Sequence, residues 1–406
     1  MTGKDFKKSR REFLKKSMAD MAGVSFLSSF IKVKNQAKGK TMVRILIILV
    51  LLCSHLMVMA QSTNKAPWPT KEWARSMPKE QKLNPKLLNE LVQLIREGKT
   101  FPNLHSLLIV RNGYLVVEEY FDDYHADRIH TLQSVSKSFT SALIGIAIEQ
   151  GKIKGVQERA LDFFPDIHDI QNMDERKAAI KLQDLLTMRS GTDYHEHNSG
   201  SPHDKLNQLD RGWDRFYLNR KMLCKPGTRF QYDSGGVILM SSILKSRTGM
   251  HADSFAEKYL FIPLGIKNVM WYRNQEGHPH TGGGLSLLPR NMAKFGLLYL
   301  RKGRWENRQV VPADWVEESF QKRISFDGRS SSREIGYGYL WWVLMPDLVG
   351  AGKENIFAAM GFRAQYIFII PEHDMVVVVT GSTVSQSDQK RPISFLYSYI
   401  LPAVHQ

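Results

Sequence analysis

Three side chains in this chain could together break an acyl bond. Ser134 and Lys137 stand in Ser134-Val135-Ser136-Lys137, an S-x-x-K spacing that opens an apolar stretch running to Glu149. If the stretch is helical, positions i and i+3 project from one face, so the hydroxyl and the amine meet. A serine hydroxyl is a poor nucleophile until a neighbour takes its proton, and a lysine does so only when burial or nearby charge makes it neutral near pH 7. The apolar helix would supply that burial. Its N-terminus would also offer unpaired N–H groups where an oxyanion forms. A further group must carry the proton to the leaving group. Tyr232, in Phe230-Gln231-Tyr232-Asp233-Ser234-Gly235-Gly236, is the candidate, a tyrosine in a loop just before a helix. Each feature alone has an ordinary reading: S-x-x-K also serves as a helix N-cap with a solvated lysine, and a tyrosine also serves as packing.

The elements that must position these residues follow from periodicity. Positions 105–121 alternate and are β-branched around Asn112-Gly113, which predicts a β-hairpin ahead of the Ser134 helix. Further strands are predicted at 339–344, 364–370 and 375–380, with Pro371-Glu372-His373-Asp374 as the turn between the last two. Helical patterns fill the middle, at 182–188, 206–218, 237–248, 255–259, 290–301 and 313–320. An amphipathic helix is predicted at 85–97, with Asn84 as its N-cap and Gly98 as its stop. The order of strands, helices, strands predicts an α+β fold: one antiparallel sheet built from both chain ends and flanked by helices, with a mostly helical insert at about 150–260.

The chain has 406 residues and a net charge of +16, yet the first sixty residues hold 12 Lys/Arg against 3 Asp/Glu. The remainder carries 44 basic and 37 acidic residues with no basic run, which argues against a nucleic-acid partner. Residues 1–60 read as an export region. A twin-arginine-like segment spans 9–31, and a Sec-type signal peptide spans 42–60, with Met42 as an alternative start. Uncleaved, 43–60 would be a membrane anchor. The product is expected to be periplasmic or secreted, with 61–84 as a linker and 85–402 as the main domain. Of the two cysteines, Cys53 lies in the apolar signal, and Cys224 is expected to be a small buried hydrophobe. His195-Glu196-His197 lacks the helical spacing of a metal motif and reads as loop. Gly282-Gly283-Gly284 reads as a tight turn, and Trp341-Trp342 as core or cleft wall. No metal and no cofactor is expected.

Taken in order, Ser134-x-x-Lys137, Tyr232-Asp233-Ser234, the 182–191 stretch ending Arg189-Ser190-Gly191, Gly282-Gly283-Gly284 and Gly361-Phe362-Arg363-Ala364-Gln365-Tyr366 resemble the serine β-lactamase and penicillin-recognising superfamily. The resemblance is nearest to its class C-like branch of esterases and 6-aminohexanoate-dimer hydrolases. It implies a β-lactamase/transpeptidase-like domain with Ser134 as acylated nucleophile, Lys137 as base and Tyr232 as proton shuttle. It also implies an oxyanion hole from the backbone N–H groups of Ser134 and Phe362. The family's third motif falls on Ala359-Met360-Gly361. Two departures stand out: Ser234 replaces the Y-x-N asparagine, and Ala359 replaces a lysine or histidine that helps hold a substrate carboxylate, a role left to Arg363. Ser234, Ala359, Gly361 and Arg363 are the implied substrate-binding positions. The expected function is that of an exported serine hydrolase acting on a small ester, amide or peptide-like substrate. The alternatives are β-lactamase or D-Ala-D-Ala carboxypeptidase activity, or a non-catalytic binding or regulatory member of the fold. The sequence does not speak to oligomeric state.

Overall fold

A computed structural model describes residues 66–98, 101–196, 198–326, 334–344 and 355–404. Both predicted export signals lie outside the described residues. Eight antiparallel strands form the main sheet, and its order mixes the two ends of the chain. The first strands are β1 (Leu104–Arg111) and β2 (Tyr114–Tyr120), joined by a turn in which Asn112 and Gly113 both take positive φ, 53° and 82°. A short strand β3 (His130–Thr131) pairs with β5 (Leu285–Leu287), which in turn pairs with β4 (Met270–Trp271). A small hairpin, β6 (Arg304–Trp305) and β7 (Arg308–Gln309), follows. The main sheet resumes with β8 (Ile324–Ser325), β9 (Glu334–Tyr337), β10 (Trp342–Leu344), β11 (Ile356–Gly361), β12 (Gln365–Ile370) and β13 (Met375–Gly381). The order across it is β2-β1-β13-β12-β11-β10-β9-β8, so the N-terminal hairpin docks against the C-terminal strand.

Alternation along these strands divides two hydrophobic layers. Leu108 and Val110 of β1, Ile367 and Ile369 of β12, and Val376 and Val378 of β13 face the helical middle of the chain. Their neighbours Leu107, Ile109, Phe368, Val377 and Val379 face the Pro85–Arg96 helix and the C-terminal Arg391–Phe395 helix. Burial on both faces explains why these strands read as nearly unbroken apolar runs. The Pro289–Leu300 helix crosses the inner face closely. A Cβ on Gly296 would come within 2.5 Å of a Val376 methyl, so only glycine fits there.

Periodicity gave no sign of β11; its Ala358 and Ala359 are strand residues because both neighbours pair with them. Three expectations need revision. The 206–218 pattern is two helices, Pro202–Asn207 and Trp213–Leu218, because Gly212 takes φ 68° and breaks the path. The stretch read as a linker is docked from residue 66 onward. Trp68 packs on Trp305 with centroids 5.1 Å apart, Leu115 N–H donates to Ala74 O, and Lys294 Nζ donates to Thr70 O. Cys224 is a free thiol of intermediate exposure rather than a buried one. Trp341 is core and Trp342 lines the cleft described below, so each half of that pair took one of the two roles read for it.

Candidate active site

Ser134 sits in a single 3-10 turn, Gln133–Val135, that runs into the Ser136–Glu149 helix. Nearly all of this helix is buried, from Ser136 to Ala147. An all-round apolar sequence with interspersed hydroxyls suits that position, because the hydroxyls of Ser136, Ser138 and Thr140 each find a carbonyl. Ser136 Oγ donates to Gln133 O (2.6 Å), Ser138 Oγ to Leu340 O (2.8 Å) and Thr140 Oγ1 to Thr281 O (3.0 Å). Gln133, just before the serine, takes φ 48°, an uncommon conformation for a side-chain-bearing residue and one that clusters at functional sites.

Lys137 Nζ lies 2.7 Å from Ser134 Oγ and donates to Gly282 O at 2.5 Å. It is 1% exposed and, among the described residues, forms no ion pair with a carboxylate. Burial therefore lowers its pKa to about 8, against the partial pull of Glu196 and Asp233. Tyr232 comes from the loop before the Ser234–Thr248 helix. Its ring centroid is 5.0 Å from Lys137 Nζ and 6.2 Å from that of Trp342, the two rings nearly parallel. Burial, with Glu196 adding to it, pushes the Tyr232 phenol well above its ordinary range, while the Ser134 hydroxyl opposes the rise. Next to it, Asp233 caps the helix through Gly236 N–H (2.8 Å) and accepts from Ser190 Oγ (2.9 Å) and Tyr217 Oη (2.5 Å). Burial raises the Asp233 carboxyl to about 6, in spite of those three donors.

These groups open onto a cleft of about 1050 Å³. Ser134, Tyr232, Ser234, Gly361 and Phe362 line it, together with Gly282, Gly283 and Gly284. Gly361 ends β11 directly over the nucleophile turn. A Cβ there would meet Leu132 O at 2.5 Å, which accounts for glycine at this position. The following turn places Arg363 and Ala364 at φ 66° and 68°. It is pinned from below by the fully buried Gln365, whose Nε2 donates to Phe362 O (3.3 Å), Arg363 O (3.0 Å) and Gly381 O (2.6 Å).

Of the residues expected to touch substrate, two lie elsewhere. Ala359 is 1% exposed in the core beneath the cleft, opposite Ile367 on β12, because strand alternation turns it inward. Arg363 does not line the cleft; its guanidinium carbon lies 5.7 Å from the centroid of the exposed Phe362 ring. Sequence reasoning in turn missed one wall. Glu196, His203, Asp204, Asn207 and His280 all line the cleft, brought there by the loop after Gly191, the Pro202–Asn207 helix and the turn before Gly282. Glu196 Oε1 accepts the Ser234 N–H at 2.7 Å, a long-range contact with no local signal in the sequence. His197 lies outside the described residues. No group of three or more His, Cys, Asp or Glu among the described residues could hold a metal ion.

Comparisons with known proteins agree with this fold. The chain is 24% identical over 313 residues to the 6-aminohexanoate-dimer hydrolase of Paenarthrobacter ureafaciens, covering 73% of this chain and 76% of that one. It superposes with a TM-score of 0.65 on EstCE1, a hydrolase with promiscuous acyltransferase activity, at 17% identity over 79% of this chain and 99% of that one. A penicillin-binding protein from Bacillus halodurans gives a TM-score of 0.59 at 17% identity, over 75% and 100% of the two chains. The Beta-lactamase family profile matches residues 91–394, a span that holds Ser134, Lys137, Tyr232 and Gly361, and the chain belongs to that family.

Proposed function

We propose that the protein is an exported serine hydrolase that cleaves ester or amide bonds through an acyl-enzyme on Ser134. The observation that carries this reading is the buried Lys137 amine 2.7 Å from Ser134 Oγ. With its pKa near 8, roughly a tenth of Lys137 is neutral at pH 7, enough to serve as a base in a desolvated site. Neutral Lys137 takes the Ser134 proton as Oγ attacks the carbonyl carbon. The backbone N–H groups of Ser134 and Phe362 hold the oxyanion. Tyr232, kept as a neutral phenol by burial, passes its proton to the leaving group and is reprotonated from Lys137. A water molecule then repeats the sequence on the acyl-enzyme, releasing the acid and restoring Ser134.

The choice of ester or amide over a β-lactam or D-Ala-D-Ala peptide rests on Ala359 and Arg363, neither of which lies on the cleft wall. The similar proteins include a 6-aminohexanoate-dimer hydrolase and a hydrolase with promiscuous acyltransferase activity, which agrees with that choice. A panel of short p-nitrophenyl esters, nitrocefin and D-Ala-D-Ala dipeptide tests it, the esters being expected to turn over fastest. Labelling of Ser134 by a fluorophosphonate, lost in Ser134→Ala, tests the nucleophile. Undiminished turnover in Ser134→Ala defeats the proposal. Export is tested by N-terminal sequencing of secreted protein, which is expected to begin at Gln61.

A further inference from the structure

The two backbone N–H groups proposed for the oxyanion hole come from segments far apart in the chain, the turn at Gln133–Val135 and the turn after β11. Both must point at one oxygen to within a fraction of an ångström. The close approach of Gly361 to Leu132 O brings the two turns together. A second connection runs behind them, through a pair of buried histidines. It starts at an irregularity in the sheet. Leu104 of β1 pairs with Gly381 and Ser106 with Thr380, so the register shift leaves His105 as the extra residue of a bulge. A bulge re-aims the side chain it carries. The His105 imidazole meets that of His130 on β3, Nδ1 to Nε2 at 2.8 Å, and Tyr124 stacks on the His105 ring with centroids 3.7 Å apart.

The partners of the pair fix all four ring nitrogens. Thr131 O only accepts, so His130 carries its hydrogen on Nδ1 and donates at 2.9 Å. Burial, with the Arg128 guanidinium nearby, favours the neutral form of both rings. His130 Nε2 therefore accepts from His105 Nδ1–H, and His105 Nε2 accepts from Ser382 Oγ–H at 3.1 Å. Each end of this chain runs into one of the two turns. At one end Thr131 Oγ1 accepts from Nε2 of Gln133 (3.1 Å), the residue held at φ 48° beside Ser134. At the other, Ser382 follows Gly381, whose N–H and carbonyl both bond the Gln365 amide, at 3.3 and 2.6 Å. Gln365 Nε2 also donates to Phe362 O. Hydrogen bonds and short backbone steps thus join Gln133 to Phe362. His105, His130 and Ser382 do not line the cleft, so any effect they have on the reaction passes through the position of the two turns.

We infer that His105, His130 and Ser382 are positioning residues, whose hydrogen-bond chain holds the Ser134 turn and the Phe362 turn at the separation an oxyanion requires. This role rests on the reading of those two turns as the oxyanion hole; the coupling between them can be measured without turnover. In the full chain, hydrogen–deuterium exchange is followed in peptides covering 131–136 and 361–366. Ser382→Ala removes one hydroxyl and leaves His105 Nε2 unpaired; it should speed exchange about threefold or more in both peptides. His130→Ala should do so more strongly, and Ser382→Thr, which keeps the hydroxyl, should restore native exchange. With p-nitrophenyl acetate, Ser382→Ala should lower kcat about threefold and His130→Ala about tenfold, with KM changed by less than about twofold. The double variant should be no slower than His130→Ala, because both substitutions cut one chain. Faster exchange confined to the peptide nearest each substitution, losses that multiply in the double variant, or coupled exchange with kcat unchanged would overturn the inference. If His130→Ala does not fold, Ser382→Ala and Ser382→Thr decide it by the same exchange and kcat readings. If Ser134→Ala kept full turnover, the acyl-enzyme reading would fail, while the exchange pattern would still decide the coupling.

Discussion

The two sides of the cleft are built on different principles. On one side Ser134, Lys137 and Tyr232 are held by the Ser136–Glu149 helix and the cap of the Ser234–Thr248 helix, elements buried almost throughout, with the Ser136 and Ser138 hydroxyls bonded to carbonyls. On the other side Glu196, Asp204 and Asn207 come from a loop and a six-residue helix, and Phe362 stands exposed at a turn with left-handed backbone. The proposed proton transfer over less than 3 Å needs the rigid side. The proposed substrate contacts sit on segments that change without disturbing the core.

That contrast is broken most sharply at the nucleophile. Ser134→Ala should lower kcat/KM by about 10³-fold or more with no change in Tm, as read by ester hydrolysis and thermal melting. Lys137→Ala should cost about 10²-fold or more. In the native enzyme kcat/KM should rise with pH through about 8, as Lys137 loses its proton and becomes a base, and this limb should vanish in the variant. Gly361→Ala tests where rigid and adaptable sides meet. Its new methyl would press on Leu132 O, at 2.5 Å, so the turn bearing Ser134 must shift; a drop of roughly tenfold in kcat and a lower Tm are expected.

Ala359→Lys sharpens the other side. The new amine would start from a fully buried position next to the Lys137 layer, so a lower Tm without any gain in nitrocefin hydrolysis is expected. Arg363→Ala should have the smallest effect, under about twofold in KM, because its guanidinium stacks outside the cleft.

A separate pH effect concerns stability. His105 Nδ1 lies 2.8 Å from His130 Nε2, and His130 Nδ1 donates to Thr131 O (2.9 Å), two residues before Gln133. Burial and the neighbouring His130 hold His105 neutral down to about pH 4, whereas unfolded it would bind a proton near 6.5. The unfolded state thus binds more protons across that window. Stability should fall as pH drops from 6.5 to about 4 and level off below, as followed by chemical denaturation; a His105→Gln variant should lose part of that slope.

How much of this was legible in the sequence follows the range of each interaction. The hairpin at Asn112-Gly113, the 313–320 helix and the 375–380 strand were readable because turn chemistry and periodicity are local. So was the meeting of Ser134 with Lys137, since three residues along a helix fix both neighbours. Tyr232 and Gly361 could be placed only through a family pattern, because nothing in a chain's local sequence says that a residue a hundred or two hundred positions away will arrive at the same point. The break at Gly212, the β11 strand of small residues and the docking of 66–84 were decided by packing against partners far along the chain. The Glu196 wall lies at that same extreme. The sequence by itself determined that Ser134 and Lys137 meet and which elements carry them. Only the tertiary structure decided that Ala359 turns into the core, that Arg363 leaves the cleft, and that Glu196, Asp204, His203 and His280 take up the wall, since burial, alternation and the pairing of strands from opposite chain ends are properties of the assembled sheet.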